Sequence, residues 1–230
     1  GTGGYHPLHW LEHAYLQLGR DEDAAKLVAI IEDDAKRTPS PYSKTHLAMC
    51  RATFLVESRG TRPASMMEPV DPSSVVSQGV FAGHDMAIGL EQIRRKDQNA
   101  ARRSLDSVRS RNTAMKSAKT KGGGASRYST VSQSDIDTVS VMEMVLVAAI
   151  EFASGDRESA IRKASAAGEA EDKLVFEYGP PAIVKPAWES AGEMLLASGK
   201  KKEAAEAFRK VLKRYPNRRL SIEGLTKATN

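Results

Sequence analysis

Apolar positions in this chain recur at helical spacing, and a longer frame is superimposed on that period. Near the C-terminal end, Trp188, Ala191 and Leu195 fall on one face of a helix, and Ala204 and Phe208 on one face of a second. Gly199 separates the two and Pro216 stops the second, while the small Gly192 and Ala204 let the backbones approach. From Trp188 to Ala204 is 16 residues, and the same interval fits three earlier segments. The first holds Leu8, Leu11, Tyr15, Gly19, Ala24 and Val28. Another holds Ile88, Gly89, Ala101, Leu105 and Val108, with Asp85 in a large-residue position and Lys96 in the turn. The third holds Met144, Val147, Ala148, Gly155, Ala160 and Ala164, with Glu151 in an aromatic position. Repeated helix hairpins are the expectation.

Two further helices are expected outside the frame. Leu47, Cys50, Phe54 and Leu55 predict a helix over 43–58, stopped by Gly60 and Pro63, as a repeat whose second helix is short or absent. Leu220, Ile222 and Leu225 predict a closing helix over 219–228 whose polar side carries Arg218, Arg219, Glu223 and Lys227, the cap that a stacked array requires. Three long connections interrupt the order. Residues 61–79 carry Pro63, Pro69 and Pro72 and are not expected to continue a helix. Residues 110–133 carry a basic run and Gly122-Gly123-Gly124, and are expected to be disordered. Residues 168–185 include Leu174, Val175, Phe176, Tyr178, Ile183 and Val184, too apolar to stay in solvent.

The spacing of Trp188, Ala191, Gly192, Leu195, Gly199, Ala204, Phe208 and Pro216 resembles the tetratricopeptide-repeat pattern. The stretch from Leu174 through Gly179-Pro180-Pro181 to Lys185-Pro186, with Glu193 to Leu196, is similar to the C-terminal region of uncharacterised bacterial tetratricopeptide-repeat proteins, over roughly 134–228. The resemblance implies an all-α, tetratricopeptide-like α-solenoid spanning 1–230, a right-handed superhelix of antiparallel helix hairpins, and assigns no activity. It also implies that the first helix of each repeat lines a concave groove. His6, His9, His13 and Gln17 would then face that groove from the first repeat, and Met86, Leu90, Ile93 and Arg94 from the third unit. Met142, Val145, Ala149 and Phe152 would follow, then Glu189, Glu193 and Leu196. Such a groove is mostly apolar, and the segment around Phe176 and Tyr178 is expected to fold back and fill part of it.

Composition narrows the classes. With 40% hydrophobic and 27% charged residues, the chain is neither globally disordered nor a membrane type, and its longest clean apolar run, Met144–Ile150, is too short to span a bilayer. The single Cys50 excludes an internal disulfide and a multi-cysteine metal site. A net charge of +5 is a mild bias toward acidic partners, not a nucleic-acid signature. The opening Gly1-Thr2-Gly3-Gly4, without methionine, is expected of a processed chain or the C-terminal part of a longer one, and the compartment stays open.

Four constellations carry candidate chemistry. His6, His9 and His13 share one helix face, a spacing zinc sites use, but no further ligand is legible; groove contact or surface packing accounts for them as well. Cys50 and His46 stand four apart without an orienting third group, which favours packing over a nucleophile and base. Gly192 to Lys200 lacks the glycine spacing and hydroxyl of a phosphate loop. The basic run from Arg109 to Arg127 has no interleaved aromatic residues for stacking and no recognition motif, so a solvated linker is expected and nucleic acid is not. No cofactor and no catalytic residue are expected. The function expected is non-enzymatic binding of a peptide or partner protein in the concave groove. The alternatives are an accessory C-terminal domain of a larger enzyme or transport protein, or an oligomerisation module.

Overall fold

The computed structural model describes residues 4–70, 78–120, 131–175 and 179–230. Among these residues there are ten α-helices and no strand. Four antiparallel pairs are joined by short turns: α1 (Tyr5–Gln17) with α2 (Asp21–Arg37), α4 (Gln78–Arg94) with α5 (Gln98–Thr120), α6 (Gln133–Ala153) with α7 (Arg157–Glu171), and α8 (Ala187–Ala197) with α9 (Lys201–Arg214). Unpaired α3 (Pro41–Glu57) follows the first pair, and α10 (Arg219–Thr229) follows the last. Neighbouring helices pack on one another throughout, consistent with a helical-repeat fold.

The repeating frame has a backbone counterpart. Gly19, Lys96, Gly155 and Gly199 each stand 11 residues after the first position of their frame, and each takes a left-handed φ, of 74°, 65°, 100° and 76° respectively. In every case the next N–H reaches back five residues to close the first helix: Arg20 to Tyr15 at 2.8 Å, Asp97 to Gln92 at 2.9 Å, Asp156 to Glu151 at 3.1 Å and Lys200 to Leu195 at 2.9 Å. This is the Schellman closure, which glycine makes without a Cβ penalty and which Lys96 makes despite one. Past each turn, Ala24, Ala101, Ala160 and Ala204 are fully buried where the two helices cross, followed by buried Val28, Leu105, Ala164 and Phe208. Small residue against large is what allows the close approach.

First helices also pack on first helices. α1 contacts α3, α3 contacts α4, α4 contacts α6, α6 contacts α8 and α8 contacts α10, forming an inner layer with α2, α5, α7 and α9 packed as their partners. Where a second helix of the α3 unit would stand, the chain makes a 3-10 turn at Ala64–Met67. Buried groups pin it. The Arg51 guanidinium donates to the Glu68 carbonyl at 3.1 Å and to Glu32 at 2.6 Å, and the His84 Nε2–H donates to the Met66 carbonyl at 2.8 Å.

Some expectations about connections change. The basic stretch from Ser110 is helical as far as Thr120, because Val108, Asn112 and Met115 form a buried stripe at helical spacing, Arg111 turns inward to pair with Asp85 at 2.5 Å, and Arg109, Lys116 and Lys119 face solvent. Helix α7 likewise runs to Glu171, so the last connection begins at Asp172. The remaining parts of the expected linkers, 71–77 and 121–130, lie outside the described residues.

The two ends of the array meet. The Arg219 N–H donates to the Gln17 side-chain carbonyl at 2.8 Å, and its guanidinium donates to the Glu57 carbonyl at 2.7 Å. Arg59 pairs with Glu223 at 2.6 Å, and Asp21 accepts from the Arg59 and Gly60 N–H groups at 2.6 and 2.8 Å. At the centre of this junction is buried Arg218. It makes a two-pronged contact with Glu189, at 2.6 and 2.9 Å, donates to the Val184 carbonyl at 3.1 Å, and also pairs with Glu57. Ser221 and Lys185 complete the shell around Glu189, at 2.5 and 3.1 Å. Burial opposes the charge on Glu189, but Arg218 and Lys185 outweigh it and hold the carboxyl far below the usual range. For Glu57 burial prevails, and its carboxyl is pushed up.

Candidate functional site

The inner layer encloses a cavity of about 350 Å³. Four helices build its walls: His6, His9 and Trp10 come from α1, Met49, Ala52 and Thr53 from α3, Val80 and Gly83 from α4, and Asp135, Thr138 and Met142 from α6. The fifth wall is the non-helical segment from Pro180 to Val184, with Glu171, Leu174 and Arg214 beside it. This segment lies across the inner face. Ile183 and Val184 are buried in the main core, and Gly179 approaches α1 so closely that a Cβ there would stand 2.5 Å from the Trp10 ring. The second half of the apolar connection, 180–184, lies against the inner face. Phe176 and Tyr178 lie outside the described residues.

Burial divides the cavity into floor and mouth. His6, Trp10, Asp135 and Val175 are exposed and mark the mouth, with the His6 and Trp10 rings 5.4 Å apart. His9, Thr53, Met142, Glu171, Ile183 and Val184 are buried and form the floor. There, His9 Nε2 and Thr53 Oγ1 share a hydrogen bond of 3.0 Å, while His9 Nδ1 has no hydrogen-bond partner among the described residues. Burial, reinforced by the neighbouring His13, pushes the His9 ring down to about 3, so it is neutral at physiological pH. Glu171 Oε2 accepts from the Ala187 N–H at 2.7 Å, but Oε1 is buried and has no partner among the described residues. Burial pushes this carboxyl up to about 7, against the pull of the Ala187 N–H, Arg214 and Arg218.

The histidine face is split between two cavities. His13 and Gln17 line a smaller one of about 190 Å³ with Pro181 and Arg218, and burial pushes His13 down to about 4. Among the described residues no three His, Cys, Asp or Glu side chains come together as a metal site. Cys50 is buried beside Glu12, and burial pushes both the thiol and that carboxyl well up, while His46 Nδ1 bonds the Tyr42 carbonyl at 3.0 Å.

The other groove candidates separate by burial. Met142 reaches the cavity floor, Leu90 and Ile93 are half-buried between the two core clusters, and Phe152 is half-buried against the C-terminal one. Met86 and Val145 are fully buried in the core rather than facing a groove, because each inner helix is packed on several sides. Glu189 is also fully buried, inside the Arg218 cluster, whereas Glu193 is exposed and pairs with Lys185 at 2.6 Å. Exposed Arg94 is bound to Glu91 on its own helix at 2.6 and 2.7 Å. Sequence reasoning missed Thr53, Glu171 and Arg218. Thr53 follows the buried face of α3 and was open to inference from periodicity; the other two are defined by contacts between distant segments. Comparison with protein-family models, with curated proteins and with solved structures finds no match to this chain.

Proposed function

We infer that this chain is a non-enzymatic scaffold of the tetratricopeptide type, a right-handed superhelix of helix hairpins whose concave face binds a peptide segment of a partner protein. One observation carries the reading. The inner face already holds a non-helical segment of the chain itself, 179–184, with Ile183 and Val184 buried and the Val184 carbonyl read by Arg218 at 3.1 Å. Beside it the 350 Å³ cavity continues along the same face, with apolar walls and a few buried polar atoms, the usual character of a recognition site. A second extended segment, supplied in trans, would meet the same kind of surface.

Position 83 gives the test. A Cβ there would stand 3.6 Å from the Met142 methyl, an ordinary contact, so Gly83→Leu adds bulk to the cavity without a backbone clash. Short peptides selected from a random array against the wild type should bind Gly83→Leu at least tenfold more weakly by titration calorimetry. Equal affinity for both proteins would remove the concave face as the binding surface.

A further inference from the structure

Glu171 is the acid of the cavity floor that the fold leaves half-partnered. It is 3% exposed, faces the cavity, and uses one carboxyl oxygen on the Ala187 N–H while the other has no partner among the described residues. A buried acid in this state is costly unless something donates to it. Its setting specifies the donor. Glu171 closes α7, and a helix C-terminus favours cations. One cation has already been drawn there: Arg214 donates to the carbonyls of Glu171 and Leu174, at 3.3 and 3.2 Å. These bonds go to main-chain oxygens and not to the carboxyl.

The rest of the cavity agrees with a second, smaller cation on an apolar body. Met142, Leu174, Ile183 and Val184 supply apolar wall. Neutral His9 adds no positive charge to the floor, and Trp10, 43% exposed at the mouth, offers an aromatic face. Asp135 also stands at the mouth but is committed to capping α6, accepting from the Ser132 N–H at 2.8 Å. An anionic ligand would meet Glu171 directly. An ammonium would instead complete a charge-assisted pair in a water-poor site, where such pairs are strongest.

We propose that this cavity binds an apolar group carrying a protonated primary amine, with the Glu171 carboxylate as its counter-ion. The amine has two possible sources, a free apolar amine or the N-terminus of a hydrophobic peptide. The second rests on the peptide-binding reading above; the first does not.

The probes are 2-phenylethylamine, its neutral isostere 2-phenylethanol, and a phenylalanyl dipeptide amide with its N-terminus free or acetylated. Binding is followed by calorimetry and NMR on the wild type and on Glu171→Gln, whose amide oxygen keeps the bond from Ala187. The amine should bind the wild type at least tenfold tighter than the alcohol, and Glu171→Gln should erase that preference. Binding of 2-phenylethylamine, whose alkylammonium keeps its proton throughout as lysine's does, should also strengthen from pH 6 to 8 as Glu171 ionises. The charged and titratable groups facing it are Arg214, Arg218, Asp172 and Tyr215. As a check independent of any variant, the carboxyl resonance of Glu171 should titrate at lower pH when 2-phenylethylamine is present.

A tenfold loss on acetylating the dipeptide points to a peptide N-terminus as the source, and binding of phenylethylamine alone points to a small amine. Both support the amine site. Equal binding of amine and alcohol, a preference that persists in Glu171→Gln, or no binding of either amine would overturn it. Equal binding of the free and acetylated dipeptides without any amine preference would overturn it while leaving the peptide reading intact.

Discussion

The helices at the two ends of the chain are built on different principles, although they touch. In the α8–α9 hairpin and on the face it shares with α10 the core is small residues around the Phe208 ring, and Glu189 and Ser221 are buried only where this region meets Arg218 at the junction. Phe208 is fully buried against Gly192 and Gly224, where a Cβ would stand 2.9 and 2.4 Å from it, and Ala191, Ala204 and Ala207 fill the remaining space. Between α1 and α3, by contrast, His9, Glu12, Thr53 and Glu57 are all buried. A dry, close-packed interior supplies stability at little electrostatic cost. A polar interior gives up part of that stability and acquires groups that can recognise something. The regular hairpin at the C-terminal end therefore reads as framework, and the irregular N-terminal helices, facing the cavity, as the working surface.

The junction between these regions gives the largest expected effect. Arg218→Ala would leave Glu57 and Glu189 buried without their shared cation, and unfolding stability should fall by about 3–5 kcal/mol in chemical denaturation. A loss below about 1 kcal/mol would mean that the ends of the array are not joined through this cluster. Hydrogen exchange would sharpen the result. Loss of protection should reach both α3 and α8, whereas a purely local defect would stay beside α10.

Acid should separate the two regions next. All five histidines lie at or before residue 84, and none is in α8–α10. His9 and His84 are held neutral by burial, pushed down to about 3 and 4. A histidine depressed in the folded state contributes stability that is present above its unfolded value of about 6.5 and is lost as pH falls toward the folded value. Glu12 and Glu171, whose carboxyls are pushed up by burial, have the opposite sign and lose their contribution as pH rises. Comparing the wild type with His9→Gln isolates the histidine term. The wild type's stability relative to the variant should drop by about 1.4 kcal/mol per pH unit below pH 6.5, down to about pH 4. A difference independent of pH would show that His9 is not held neutral.

The smallest effect tests the regular part of the frame. Lys96 occupies a turn position that is glycine in the other three hairpins, at φ 65°. Lys96→Gly should raise stability by about 0.5–1 kcal/mol, through relief of the Cβ contact offset by the greater freedom of glycine when unfolded. A destabilisation would show that this turn is held by the lysine side chain and is not equivalent to the others.

The turn position also shows how much the sequence reveals. Gly19, Gly155, Gly199 and the discordant Lys96 are legible because hairpin geometry is local, a matter of spacing and of which residues tolerate a left-handed backbone. The closing helix, and the lack of a full second helix among the described residues after α3, are legible for the same reason. The inner surface is less so. Each inner helix contacts its hairpin partner and its inner neighbours, so more than one stripe is buried and periodicity alone does not tell core-facing Met86 and Val145 from cavity-facing Met142. The charged cluster is not legible at all. Arg218 and Glu57 are 161 residues apart, and each alone resembles a surface charge. Helix α5 beyond Ser110 was hidden by its charge: the basic residues dominate the composition, while Asn112 and Met115 carry the buried stripe.

The central claim is that the chain binds through the cavity on its inner face. The most direct measurement is an amide and methyl NMR footprint of the wild type, titrated with a peptide selected against it. Shifts should concentrate at His9, Thr53, Met142, Glu171 and Ile183, and Gly83→Leu should abolish them. A footprint confined to the outer helices α2, α5, α7 and α9, and unchanged by Gly83→Leu, would contradict the account.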